Sequence, residues 1–299
     1  MMKGTFVALT ALLGIATAHL PARAQGSLAD RIGHTDPSQY RASRSHGSVG
    51  DMHCMTLLSN RDLTANLQFL HRCQVSAEGG GVGHHFHNVS EEMFVIFDGE
   101  AEFTIDGRTS VLEGTVGAPV RMGHSHAIYN PGPEPVEFVN INVTAVKGQY
   151  DAFDLDDPRV GVAKDEIPVF MAMRLERERL RGEPGYRGGE GTAMYRRALQ
   201  PTVFATNWAY VDHLVLPPGA SEGLHRHRGV EEVYYVIRGA GEVRVGQETA
   251  PIGEGDAVPV RFGETHAFSN TGADDLEFMI IGIALEKGIL DTEILEGEP

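Results

Sequence analysis

Apolar residues along this chain alternate with polar ones or cluster in short runs, the patterns of half-buried and fully buried β-strands. Met52 to Leu58 and Ala65 to Val75 are predicted strands joined by the polar Ser59-Asn60-Arg61-Asp62. The run Met93 to Phe97 is apolar throughout and predicts a strand that is largely buried. Glu102 to Ile105 and Val111-Leu112 flank Asp106-Gly107, a favoured two-residue hairpin turn, and Val136 to Val143 supplies a further strand. Ala205 to Leu216, Glu232 to Ile237, Gly241 to Val245 and Phe278 to Ile283 repeat the scheme. Only Phe170 to Leu180 carries apolar positions near helical spacing; it ends before Gly182, so a short linker helix with a solvated charged face is expected there. The pattern as a whole is all-β.

Two stretches repeat each other. Gly79, His85, His87, Glu92 and Gly99 recur as Gly219, His225, His227, Glu232 and Gly239; further on, Arg121, Gly123, His126 and Asn130 recur as Arg261, Gly263, His266 and Asn270. Every pair is separated by 140 positions (225−85, 232−92, 266−126). A constant offset across separated motifs means a duplicated domain.

On a strand, the His-x-His spacing places both imidazoles on one face. Two such imidazoles with a carboxylate and a third histidine form a nitrogen and oxygen donor set for a divalent metal with coordination positions to spare. The candidate ligands are His85, His87, Glu92 and His126 in copy one and His225, His227, Glu232 and His266 in copy two, one ion per copy. Without sulfur the set suits Fe, Mn, Co, Ni, Zn or Cu, and such an ion can activate dioxygen or polarise a carbonyl or carboxylate. Hydrogen-bonded barrel histidines would explain one His pair, but two complete quartets at one spacing argue against that. Candidate general acids or bases are His84, His124, Tyr234 and Glu264, with rim histidines exposed to solvent as the plainer reading of His84 and His124. The surroundings of the two ligand sets differ: His84 against Leu224, His124 against Glu264, Phe94 against Tyr234, Asn140 against Ile280 and Asn142 against Gly282. Copy two, with a carboxylate and a phenol, is expected to be the more active.

These residues resemble the cupin superfamily, whose motifs are G-x5-H-x-H-x4-E-x6-G and G-x5-P-x-G-x2-H-x3-N. Both copies match the first motif and keep the ligand histidine and asparagine of the second; Arg121 and Arg261 replace its proline, and Thr115 replaces its first glycine in copy one. The resemblance implies two tandem jelly-roll β-barrels, a bicupin, with a short helical linker. With the apolar pattern, this divides the chain into residues 25–50 as an N-terminal arm, 51–147 as barrel one, 148–190 as linker, 191–286 as barrel two and 287–299 as an acidic surface tail. The resemblance favours Mn or Fe and does not fix a reaction; taken with the N-terminal pattern of residues 1–24, the first expectation is an exported metal-dependent enzyme, a dioxygenase on a small organic substrate. Alternatives are a non-oxidative decarboxylase, isomerase or lyase, or a non-catalytic binding or storage bicupin whose metals only stabilise the barrels. Bicupin oxalate decarboxylases carry an arginine three residues before the first histidine; Val82 and Glu222 stand there, which argues against a small dicarboxylate in that pose. Cupins often pair through barrel edges, so a homodimer is expected.

Charge and composition narrow the partners. A formal net charge of −16, with no long run of Lys or Arg, argues against nucleic acid. Lys3, the apolar run Phe6 to Ala18 and Ala22-Arg23-Ala24 read as a signal peptide spanning residues 1–24, which implies a periplasmic or secreted protein. That run is too short to favour a stable membrane span. Its removal takes away Lys3 and Arg23 and leaves a charge of about −18. Cys54 and Cys73 are the only cysteines; in such a compartment they form either a disulfide or two separate buried thiols.

Overall fold

The computed structural model describes residues 26–295; the segment read as a signal peptide lies outside them. Each copy is built from two antiparallel sheets. In copy one the larger sheet runs, in spatial order, Arg41–Ser43, Met52–Ser59, Leu67–Val75, Val136–Thr144, Ser90–Ile96, Val116–Val120 and Met173–Arg174. The smaller runs Phe153–Asp154, Gly80–Phe86, Ser125–Asn130, Glu100–Ile105 and Arg108–Glu113. Copy two repeats this with a sheet of Arg181–Pro184, Thr192–Leu199, Trp208–Leu216, Leu276–Ala284, Val230–Arg238 and Ala257–Val260, and another of Glu248–Gly253, Ala240–Val245, His266–Ser269, Ser221–Arg226 and Glu293–Ile294. Asp106 and Gly107 make the expected hairpin turn, both with positive φ.

The continuous apolar runs have a physical cause. Strand Ser90–Ile96 is buried on both faces. Glu92 and Phe94 point into their own barrel, while Met93 and Val95 join a core shared with Val233 and Tyr235 of the other copy. The barrels therefore pack through their larger sheets, and the alternation that marks a half-exposed strand disappears.

The interface is reciprocal. The Glu91 carboxylate accepts from the backbone N–H groups of Ala205 and Thr206 at 2.7 Å each, and Glu231 accepts from Ala65 at 2.6 Å. Both donor and acceptor shift by 140 (205−65, 231−91). Arg121 donates to the carbonyls of Thr202 and Val203, and Arg261 to that of Asp62. The arginines that replace the motif's proline thus hold the copies together.

Two expectations are corrected. Phe170–Leu180 forms no α-helix: Met173–Arg174 adds a strand to barrel one and only Arg177–Arg179 turns, as a 3-10 helix. Its apolar positions go to separate places, with Met173 and Leu175 in the shared core, so helical periodicity gives way to sheet pairing. The acidic tail is not merely surface, since Glu293–Ile294 pairs with Ser221–Arg226. The segment at Phe153–Asp154 pairs with Gly80–Phe86 in the same way. The arm contains the short helix Leu28–Arg31, capped by Ser27. From there it crosses from barrel two, where Gly33 bonds Ala257, to barrel one, where Arg41–Ser43 pairs with Met52–Ser59. Cys54 and Cys73 sit directly opposite on paired strands and form a disulfide.

Candidate metal centres

Register places the ligands. His85 pairs directly with His126, and His225 with His266, across the smaller sheets. Glu92 and Glu232 come from the central strands of the larger sheets. In each copy the four ligand atoms lie within 4.8 Å of one another, and all eight residues are buried. Nδ1 of His85 and of His225 faces the carbonyl of Gly83 and Gly223 at 2.8 Å; Nδ1 of His87 and of His227 faces the carbonyl of Asp151 and Asp291. These bonds place the proton on Nδ1 and turn the Nε2 lone pair toward the centre, where that of His225 meets the Arg187 guanidinium. Nε2 of His87, His126 and His227 is buried without a well-aligned hydrogen bond. Buried donors left this way fit a metal ion held by His85, His87, Glu92 and His126, and by His225, His227, Glu232 and His266.

Burial opposes the charge on Glu92 and Glu232, but their histidine neighbours outweigh it and hold both carboxyls well below the usual range. Burial and repulsion from His126 push His85 down to about 2; burial, His266 and Arg187 depress His225 likewise. His87 and His227 move up, because Glu92 and Glu232 outweigh their burial.

Tyr234 stands at the copy-two centre: it is buried and its hydroxyl donates to Glu232 at 3.2 Å. Glu264 does not reach the centre. Its carboxylate is held by Arg31 of the N-terminal arm, at 2.6 and 2.8 Å, and by the Arg261 amide. His84 is buried, not on an exposed rim, but strand alternation turns it away from the ligands toward Ser125 at 2.8 Å and Asp157. His124 is an exposed rim residue paired with Asp106.

Tyr210 and Arg187 escaped the sequence reading. Asn142 lies opposite Glu92 and donates to it at 3.3 Å. In copy two the equivalent Gly282 is opposite both Glu232 and Tyr210; a Cβ there would come within 2.6 Å of the Tyr210 ring. Tyr210 fills that space and its hydroxyl donates to Glu232 at 2.7 Å. A glycine inside an apolar strand is the signal that could have revealed it. The second is Arg187, from the turn Tyr186–Gly188: its Nη1 lies 2.9 Å from Glu222, 2.5 Å from His225 Nε2 and 3.5 Å from Tyr234. Burial raises the Glu222 carboxyl, and Arg187 only partly offsets it.

A family model for the cupin domain matches residues 73–142 and again 212–282. Over 99 residues the chain is 36% identical to an oxalate-binding protein of Thermotoga maritima, covering 33% of this chain and 82% of that protein. The chain belongs to the cupin family. As a bicupin it shares its fold with solved structures of low identity. Oxalate decarboxylase of Bacillus subtilis superposes with a TM-score of 0.55 at 19% identity, covering 84% of this chain and 78% of that one. Salicylate 1,2-dioxygenase of Pseudoaminobacter salicylatoxidans, in complex with gentisate, gives 0.63 at 13% identity over 82% and 77%. Among the described residues of this bicupin, no helix is long and apolar enough to cross a membrane.

Proposed function

We propose that this bicupin is an exported metal-dependent dioxygenase acting on a small organic substrate, with turnover at the copy-two centre. The observation that carries the reading is the buried donor set of three imidazoles and one carboxylate in each barrel, without thiolate. Such a set leaves an octahedral ion positions for substrate and dioxygen. A bound divalent ion there supplies Lewis acidity and, as Mn or Fe, electrons for dioxygen. Mn is favoured by the Mn(II) centres named for the oxalate decarboxylase of like fold, and a dioxygenase by the salicylate enzyme. The chain's own residues would do the rest. Tyr210 and Tyr234 fix the Glu232 carboxylate, and the Glu222 carboxyl lies buried beside Arg187 as a proton carrier. The N-terminal apolar run and the Cys54–Cys73 disulfide support export, since disulfides persist in oxidising compartments.

A second reading, non-oxidative decarboxylation, is favoured by Glu222 itself: a fully buried carboxyl three residues before a ligand histidine is placed to return a proton to the carbanion left by departing CO2. Oxygen consumption by Mn- or Fe-loaded protein across a panel of small organic and aromatic acids separates the two. Dioxygen uptake in proportion to product is expected. Release of CO2 with no net oxygen uptake would replace the first reading by the second.

A further inference from the structure

The two metal centres are each approached by a turn that the ligand motifs do not contain. In copy one, His46 and Gly47 have φ of 55° and 73°; in copy two, Arg187 and Gly188 have 52° and 85°. The pairs are 141 positions apart (187−46), one residue off the offset of the ligands. Each turn crosses the glycine two residues before the first ligand histidine. A Cβ at Gly83 would lie 1.8 Å from the His46 carbonyl oxygen, and one at Gly223 lies 2.3 Å from that of Arg187. These same glycines accept the Nδ1 protons of His85 and His225. Only a backbone without a side chain lets the turn come this close. The turns are thus one duplicated element, seated against the ligand strand, and each delivers its first residue onto the first ligand histidine. The His46 ring stacks on His85 with centroids 3.7 Å apart and planes at 8°. The Arg187 guanidinium meets His225, with 9% of its side chain exposed.

We propose that this tip residue sets which substrates each centre admits: Arg187 makes copy two a site for carboxylate-bearing substrates, and His46 leaves copy one without that anchor. The proposal deepens the reading above, because it assigns the substrate class of the copy-two centre. Guanidinium is always charged and offers five donors in a planar fork suited to a carboxylate. Its polar contacts with Glu222, His225 and Tyr234 run through Nη1, and its plane lies against the Tyr186 ring at 5.2 Å; the proposal assigns the other edge of the fork, Nε and Nη2, to an incoming anion. Glu222 stands three residues before His225, where oxalate decarboxylases place their arginine; in this chain the positive charge comes from the turn instead, and Glu222 holds it in place. Copy one lines the same region with rings: His46, Phe94 at 5.2 Å from His126, and Tyr150 at 5.3 Å from His87.

The test is acetate binding to the Co(II)-loaded full chain, read by visible absorption, with metal content measured in parallel. His87→Ala isolates the copy-two centre and His227→Ala the copy-one centre. The copy-two spectrum should respond saturably to acetate. Adding Arg187→Gln should weaken that response about tenfold or more, Arg187→Lys should restore part of it, and metal content should hold. In the His227→Ala chain, His46→Arg should confer an acetate response on copy one; if Arg187→Gln loses its metal, this gain decides the matter. An acetate response that is equal in the two centres, or unchanged by Arg187→Gln, overturns the proposal, as does a rise in metal affinity with the acetate response intact. Oxygen is not involved, so failure to consume it would refute the dioxygenase reading and leave this one standing.

Discussion

At the scale of single residues, the eight ligands were legible because strand geometry makes chemistry periodic: His-x-His lies on one face, and a constant offset repeats it. What could not be read were residues whose role depends on a neighbour in space. Glu264 precedes a ligand by two, yet Arg31, more than two hundred residues away, captures it. Tyr210 enters the site only because Gly282 has no side chain. Tyr210→Phe should therefore weaken metal binding at copy two by about tenfold, the usual effect of losing a partner that orients a ligand. Metal titration of the His87→Ala chain reads this directly, and an unchanged affinity would show that the phenol does not orient Glu232. Protonation gives a second prediction. His87 and His227 are raised above the ordinary imidazole value, so in the metal-free fold they keep protons that a metal must displace. Affinity should fall as the pH drops through the raised titration range of these two imidazoles, with proton release on binding. Calorimetry in buffers of different ionisation enthalpy measures that release; a pH-independent affinity with no proton released contradicts it.

At the scale of elements, strands and hairpins followed the pattern of apolar positions, and the expected linker helix did not. Phe170–Leu180 has helical spacing, but Met173–Arg174 finds an open edge beside Val116–Val120, and pairing there buries Met173. Local propensity loses to tertiary contact. The turns bearing His46 and Arg187 were invisible for a related reason: they lie in segments read as arm and linker, and their importance comes from what they cross. The disulfide could be judged only once register was known, since Cys54 and Cys73 are direct cross-strand partners. Replacing both by serine should lower stability by up to about 3 kcal/mol, because the loop they close spans 19 residues. Denaturant unfolding with and without reductant measures this, and coincident curves would show that the bridge adds nothing.

At the scale of the whole molecule, the duplication is also a packing rule. The larger sheets of the two barrels share one core, and carboxylates at equivalent positions cross the boundary in both directions. Glu91→Ala and Glu231→Ala should each cost about 2 to 3 kcal/mol, since each leaves buried backbone N–H groups without an acceptor. Unfolding should remain a single transition in both variants; two separate transitions would mean that the barrels fold independently. The account rests most heavily on two metal centres that are alike in ligands and unlike in surroundings. Elemental analysis of metal-replete protein, paired with turnover, tests it most directly. Wild-type chain should carry close to two ions, one for each ligand group. His87→Ala and His227→Ala should each retain one, with turnover abolished in His227→Ala and mostly kept in His87→Ala. A wild-type chain that stays near one ion, or equal loss of turnover in two folded variants that each keep their remaining metal, would contradict it.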